Sequence, residues 1–233
     1  MKEIKFLKYD FERETIKRNL KDEVRTFHIT QKQRPLLSIS RILKPLNEHN
    51  FLMIKKEYLL PSKIIGKLSH FLIEQTYKQK ELIVIKSVND IEKFLGEGME
   101  KFRNLNSDKQ KEIVATVNKI VRTAHSFFEK EQIKVLRSEF YICNTIYHGF
   151  IDIIAQDKDG KLMIIELKTS KINKVKYETK LQLGLYKKLV QEHYKEEIIT
   201  KSLRFDLKNN KVFWDTIEGN EFDKLSEVIE KII

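Results

Sequence analysis

Two carboxylates and one lysine, Asp152, Glu166 and Lys168, are the residues of this sequence best spaced to do chemistry together. Asp152 lies within an apolar run, and Glu166 and Lys168 flank Leu167 at the end of the next one. Because side chains alternate along a strand, Glu166 and Lys168 share one face. Hard cations such as Mg²⁺ prefer carboxylate oxygens as ligands. The spacing therefore predicts a divalent-metal site beside an amine.

A β-hairpin must bring these residues together. Residues 157–160 are turn formers, and Gly160 can adopt a positive φ at little cost. If the loop runs from 157 to 161, Gln156 pairs with Leu162, and by the same register Asp152 lies opposite Glu166. Facing Cβ atoms are roughly 4.5–5.5 Å apart, where like charges destabilise a sheet, and apolar surroundings raise the cost. A cation between the carboxylates would remove that cost. The alternative is a surface hairpin with scattered charges.

Four motifs, in the family's order, resemble those of the PD-(D/E)XK nucleases and their RecB-type branch. The hairpin just described matches the carboxylate–lysine signature of the superfamily. The run Gln182-Leu-Gly-Leu-Tyr186 resembles the glutamine–tyrosine motif of the RecB branch, and Gly66-Lys-Leu-Ser-His70 resembles its glycine-and-histidine helix. Residues 35–43 are similar to the opening motif of mitochondrial genome maintenance exonucleases. CRISPR-associated relatives hold an iron–sulfur cluster with four cysteines, and the single Cys143 excludes such a cluster within this polypeptide.

The resemblance implies an α/β fold with a restriction-endonuclease-like core, in which helices flank a central mixed sheet, plus an N-terminal and inserted helical region. It also implies a site for Mg²⁺ or Mn²⁺ held by Asp152, Glu166, the backbone carbonyl of Leu167 and the neutral imidazole of His70. Lys168 would position or help deprotonate the attacking water, or neutralise the phosphate. For His70, the alternative is a helix histidine with an ordinary hydrogen bond.

Gln182, Tyr186 and Glu139 are further candidates for roles at this site. Gln182 and Tyr186 are one helical turn apart. By resemblance, Gln182 contacts the lysine region or the substrate, and Tyr186 supports the site or touches the nucleic acid. The alternative for Tyr186 is a half-buried core tyrosine. A two-residue turn at 144–145 would place Glu139 opposite Phe150, on the face of Asp152, whereas a one-residue slip would turn it away. In this branch an upstream glutamate can join a second metal shell or organise the site.

The net charge of +11 is concentrated near the hairpin. Residues 161–211 contain 13 Lys and Arg against 6 Asp and Glu. Such a basic surface attracts phosphates and makes binding salt-dependent. The alternative is that the lysines only keep the surface soluble. The lysines that we expect to bind nucleic acid are Lys171, Lys174, Lys176 and Lys180.

The resemblance leads us to expect a Mg²⁺- or Mn²⁺-dependent deoxyribonuclease, with a preference for single-stranded DNA and for free ends. Replication, repair and recombination all fit this chemistry, with replication or repair proteins as candidate partners. The helical insertion at about 88–130 could form an arch over a threaded DNA end, or simply pack amphipathic helices over the sheet. Two alternatives stay open: a structure- or sequence-specific endonuclease of the same superfamily, and a non-catalytic nucleic-acid-binding scaffold.

Length and composition agree with a compact intracellular enzyme of one domain, which the resemblance implies is a nuclease domain. The chain has 233 residues and 41% hydrophobic residues, enough for one core, and one cysteine, which argues against a disulfide-stapled secreted protein. No apolar run approaches the roughly 18 residues of a membrane span, and the N-terminus resembles neither a secretory signal nor a transit peptide. The expected divisions are an N-terminal extension at 1–60, a helical region at 61–130, the catalytic core at 131–217 and a C-terminal helix at 218–233.

Periodicity predicts the secondary structure that these divisions contain. Helices are expected at about 62–78, 88–103, 107–130 and 177–193, with a terminal helix from about 221. The expected N-caps are Ser62 or a neighbour for the first helix and Ser107 for the third. Strands are expected at about 133–142, 147–156, 162–169, 198–207 and 211–217. The order of helix, three strands, helix and two strands is the order of PD-(D/E)XK cores.

Overall fold

A six-stranded mixed sheet with helices on both faces organises the chain. The computed structural model describes residues 37–43, 56–91, 99–143, 147–169, 175–194, 197–206 and 211–217. The strands are β1 (Leu37–Ser38), β2 (Lys134–Cys143), β3 (Tyr147–Gln156), β4 (Leu162–Lys168), β5 (Ile198–Asp206) and β6 (Lys211–Thr216). The helices are α1 (Ile39–Ile42), α2 (Lys56–Gln79), α3 (Met99–Arg103), α4 (Ser107–Lys130) and α5 (Tyr177–His193), and Val88–Ile91 form a 3₁₀ turn.

Strand β3 is the centre of the sheet because it pairs with three other strands. β2 runs antiparallel along one edge of β3. The other edge is shared: β1 pairs in parallel with Tyr147 and His148, and β4 pairs antiparallel from Ile153 to Gln156. β5 continues the sheet parallel to β4, and β6 closes it antiparallel to β5. Between the β1 and β4 ladders the shared edge of β3 has a gap, and Asp152 lies at its border with β4.

Two apolar clusters fix helices against the two faces of this sheet. One cluster joins α2 and α4 to β3, β4 and β5. The other joins α1 and α5 to β2, β3 and β4. The residues that α4 buries recur at helical spacing and form one apolar stripe: Ile113, Val117, Ile120, Val121, Ala124 and Phe128. The sheet is therefore held rigidly between layers, which suits it to carry a site at its central gap.

Most elements lie where the periodicity placed them, and α5 and β3 have the predicted bounds. Two helix starts were predicted wrongly. α2 begins at Lys56 and continues through Pro61, so Ser62 lies inside it rather than capping it. Asn106 rather than Ser107 caps α4, because its side-chain oxygen accepts a hydrogen bond from the Lys109 amide at 2.8 Å.

Other boundaries differ in smaller ways. The helix expected at 88–103 consists of the 3₁₀ turn and α3, and the residues between them lie outside the described ranges. The terminal helix expected from 221 also lies outside them. Within the described ranges, none of the helices combines the length and apolar character needed to cross a membrane.

Candidate active site

Asp152 lies on β3 at the point where the β3–β4 ladder ends. The predicted pairing of Gln156 with Leu162 is confirmed, and the ladder continues to Ile153 and Ile165. Beyond that pair, the backbone N–H of Leu167 donates to Oδ2 of Asp152 at 2.8 Å. A side-chain carboxylate thus accepts a bond where the ladder stops, which fixes its orientation relative to β4.

His70 and Glu139 bring further ligand atoms to Asp152 from two other elements. Nδ1 of His70, on α2, lies 3.3 Å from Oδ1 of Asp152 and 3.6 Å from Oε1 of Glu139, on β2. One ligand atom from each of these residues lies within 4.8 Å of the other two. We call His70, Glu139 and Asp152 the triad. An imidazole nitrogen and two carboxylates at this separation can ligate one divalent cation.

The position of Glu139 corrects one prediction. Phe150 pairs with Tyr141 rather than with Glu139, because the connection from β2 to β3 is two residues longer than the predicted turn. The flanking pairs Ser138–Ile153 and Phe140–Ile151 place Glu139 level with Asp152. A shift of two residues preserves the face of the strand, so the expected proximity survives. Glu139 has a φ of 48°, a left-handed conformation that is uncommon for residues other than glycine and costs about 1 kcal/mol or more.

Lys168 belongs to a polar chain that reaches from β4 to α5. Its Nζ donates to Oε1 of Glu166 at 2.6 Å and to Oε1 of Gln182 at 3.4 Å. Nε2 of Gln182 in turn donates to the Tyr186 hydroxyl at 3.3 Å. Tyr186 is only 2% exposed and packs in the α5 cluster, which favours a supporting role over contact with nucleic acid. This series of hydrogen bonds holds the amine of Lys168 next to the carboxylates.

Burial and neighbouring charges shift the pKa values of Asp152 and Glu166 in opposite directions. Burial alone would raise the pKa of Asp152, but His70, Lys168 and the Leu167 amide together lower it. Burial and the neighbouring Asp152 raise the pKa of Glu166 to about 7, although Lys168 opposes them. Asp152 is thus ionised at neutral pH, whereas Glu166 titrates there.

The pKa values of the two basic residues, His70 and Lys168, are both raised by the neighbouring carboxylates. Burial would lower the pKa of His70, but Asp152 and then Glu139 raise it well above its usual value. Burial would likewise lower the pKa of Lys168, and Glu166 and Asp152 outweigh it. In the absence of a cation, protons on His70 and Lys168 therefore balance the negative charge of the acids.

One orphaned atom supports the presence of a further positive group. Oε2 of Glu166 is buried and has no hydrogen-bond partner among the described residues. Its Oε1 is turned towards Lys168, and Glu166 is not a member of the 4.8 Å group. Ser202, its neighbour in the β4–β5 register, also has a buried hydroxyl without a partner in this region. Unsatisfied buried oxygens are costly and are commonly explained by an ion or water. The donor set therefore fits a hard divalent cation.

The lysines predicted to bind nucleic acid and the predicted Leu167 carbonyl ligand are not part of the polar contacts described above. Lys171 and Lys174 lie outside the described residues. Lys176 precedes α5 and Lys180 lies on it, both half-buried. The backbone carbonyl of Leu167 stays a predicted ligand.

Of the aromatic residues in the helical insertion, Phe102 and Phe128 are fully buried, so they cannot stack on bases. Helix α4 packs on α2 through its apolar stripe, which agrees with the simple packing role. The arch stays a prediction.

Comparison with known proteins identifies the family. The model of the PD-(D/E)XK nuclease superfamily matches residues 41–232. The chain belongs to this superfamily. PD-(D/E)XK nucleases act on nucleic acids with divalent metals, and the triad of this member is a candidate metal site.

Solved structures similar to this PD-(D/E)XK protein are distant. A "putative exonuclease" from Eubacterium rectale is 10% identical, with a TM-score of 0.45 over 79% of this chain and 68% of that chain. A protein named SSO0001 is 15% identical, with a TM-score of 0.32 over 71% of this chain and 86% of that chain. No curated protein matches the chain. These similarities are too low to assign a substrate.

Residues beside His70 on α2 were missed by the sequence argument. A cleft of about 370 Å³ runs along α2, lined by Gly66, Lys67, His70, Phe71, Glu74 and Glu139. These residues are Lys67, Phe71 and Glu74. Their signal was the spacing i, i+3, i+4, i+7 around His70, which places all four side chains on one face of a helix.

Proposed function

We propose that this protein is a Mg²⁺- or Mn²⁺-dependent deoxyribonuclease that hydrolyses phosphodiester bonds, with a preference for single-stranded ends. The observation that supports this most strongly is the convergence of His70, Glu139 and Asp152 within 4.8 Å. Next to them, Lys168 is held 2.6 Å from the carboxylate of Glu166. Two buried carboxylates, Asp152 and Glu166, lie beside the partly exposed His70 and Lys168, and such a cluster of ionisable groups is typical of a catalytic site.

The residues of the site divide the work of phosphodiester hydrolysis among them. When bound, the cation supplies Lewis acidity, which stabilises negative charge developing on the phosphoryl group. His70, Glu139 and Asp152 would hold it, with the Leu167 amide fixing the orientation of Asp152.

Lys168, anchored by Glu166 and Gln182, would orient the attacking water or carry positive charge to the phosphate. Glu166 would complete the metal shell through Oε2, which has no hydrogen-bond partner within the described part of the chain, or accept a proton from the water.

We propose that the protein belongs to the RecB-type branch, and the hydrogen bonds that connect Gln182 and Tyr186 to Lys168 support this proposal. Its products would carry a 5′-phosphate and a 3′-hydroxyl. A role in replication, repair or recombination, with partners from those processes, agrees with this branch. An endonuclease of the same superfamily is the second candidate, since the triad would serve either reaction.

Cleavage of labelled single-stranded DNA in Mg²⁺ and in Mn²⁺ tests the proposal. Asp152→Asn and Lys168→Met should each reduce the rate at least 100-fold while leaving most of the DNA binding. Asp159→Asn, an exposed change in the turn of the same hairpin, is the matched control. Variants as fast as the wild type would refute the assignment. A covalently closed single strand separates the two modes, because an exonuclease leaves it intact and an endonuclease cuts it.

A further inference from the structure

The cleft along α2 carries four chemically different groups in a fixed order. Lys67, His70, Phe71 and Glu74 follow one another along a single helical face, and Glu139 forms part of the opposite wall. Lys67 is exposed at one end, Phe71 is half-buried in the middle, and Glu74 is buried at the other end. A core-facing helix would carry apolar residues at these positions. The face instead combines a cation, metal-ligand candidates, an aromatic ring and an acceptor.

The charges along the cleft give it a direction. Lys67, together with a cation held by the triad, would attract a phosphate at one end. At the other end, Oε1 of Glu74 pairs with Nζ of Lys78 at 2.8 Å, and the carboxylate side chain is 4% exposed. A carboxylate accepts hydrogen bonds from base amino groups or sugar hydroxyls and disfavours a phosphate. A nucleic-acid backbone can therefore enter beside Lys67. At the other end Glu74 offers only acceptor oxygens, which a nucleoside N–H or O–H can satisfy and a phosphate oxygen cannot.

The volume of the cleft limits the size of the ligand that it can bind. A volume of about 370 Å³ is at the lower end of the range for sites that hold small molecules. The half-buried ring of Phe71 offers a stacking surface of the kind that bases use on single-strand-binding proteins. One nucleotide meets all of these conditions, with its charged and uncharged parts at opposite ends.

We propose that this cleft binds the terminal nucleotide of the DNA substrate, with its phosphate between Lys67 and the triad, its base on Phe71 and a nucleoside N–H or O–H donated to Glu74. This assignment rests on the proposed nuclease function and adds the reason for a preference for ends. An internal nucleotide would have to carry the next phosphate past Glu74, whereas a terminal one does not.

Calorimetry with deoxyadenosine 5′-monophosphate in Mg²⁺ tests the site without requiring turnover. The mononucleotide should bind at least tenfold more tightly than inorganic phosphate, because only the former stacks. Phe71→Leu keeps an apolar side chain against the core but removes the ring, and it should weaken mononucleotide binding about tenfold with phosphate binding unchanged. Phe71→Tyr should restore the affinity. Phe127→Leu, which changes another half-buried ring that packs on Trp214, should have no effect.

The outcomes separate this proposal from the nuclease proposal. If Phe71→Leu binds the mononucleotide as the wild type does, or if phosphate binds equally well, the cleft assignment is wrong even when DNA is cleaved. If the predicted binding pattern appears but no DNA is cleaved, the nuclease proposal is wrong and the nucleotide site stands.

Glu74→Gln tests the closed end separately, since it leaves Lys78 without its carboxylate partner. It should raise the rate on circular relative to linear single strands at least severalfold, and an unchanged ratio would overturn the role of Glu74.

Discussion

Replacing Glu166 with glutamine should stabilise the metal-free protein at alkaline pH. The folded-state pKa of Glu166 is about 7, against an ordinary value of 4.5. Between those values the folded state binds the extra proton, so stability falls as pH rises. The stabilising contribution of protonated Glu166 is thus complete below pH 4.5 and lost by the time the pH passes 7. The loss is about 1 kcal/mol at pH 5 and about 3 kcal/mol at pH 8. Glutamine keeps an oxygen for Lys168 and carries no charge to bury.

Urea unfolding in EDTA at pH 5 and pH 8 measures this difference. The free energy of unfolding of Glu166→Gln should be larger than that of the wild type by about 1 kcal/mol at pH 5 and about 3 kcal/mol at pH 8. Glu197→Gln, at an exposed position, should match the wild type at both. Adding Mg²⁺ at about 100 times its dissociation constant should stabilise the wild type by about 2.7 kcal/mol and the variant by less, which narrows the gap. A variant less stable than the wild type at pH 8 would refute the account of Glu166 as a buried acid whose ionisation lowers the stability of the fold.

Three further predictions concern the packing and the backbone of the fold, and urea unfolding measures each of them. Gly149→Ala should destabilise the fold by about 2 kcal/mol, because the new Cβ would lie 2.6 Å from Cε1 of Tyr186. Gly66→Ala should instead stabilise it by about 0.5–1 kcal/mol, because its Cβ would meet only Oγ1 of Thr169, at 3.5 Å. Equal effects would contradict the packing of Tyr186. Glu139→Gly should be about 1 kcal/mol more stable than Glu139→Ala because of the left-handed φ, and equal stabilities would show that this conformation is not adopted. Asn106→Ala should lower the free energy of unfolding by about 1 kcal/mol because the N-cap of α4 is lost, and an unchanged urea midpoint would show that Asn106 does not cap this helix.

The hairpin could be predicted from sequence because its determinants are local. The turn residues 157–160 and the alternation along β4 fixed the pairing of Gln156 with Leu162. Helix α5 and the buried stripe of α4 were equally accessible, since both follow from periodicity over many residues. The family motifs then joined these local elements into one core, which the superfamily match confirms.

Long-range geometry was beyond the reach of these arguments. The length of the β2–β3 connection decides which residue faces Glu139, and Asn144 favours a turn there without fixing how many residues the connection contains. The contact between His70 and Asp152 joins residues far apart in sequence, and only the family resemblance suggested it. The orientation of Lys67 and Glu74 towards the site depends on how α2 packs, which its sequence does not specify.

Binding of Mn²⁺ measured by calorimetry at pH 7.5, in wild type and in Asp152→Asn, tests most directly whether the triad forms a metal site. The account predicts that the wild type binds Mn²⁺ and that the variant, which keeps an oxygen for the Leu167 amide but loses the charge, binds at least tenfold more weakly. Wild-type protein that does not bind the ion, or a variant that binds it equally well, would contradict the claim that these residues form a metal site.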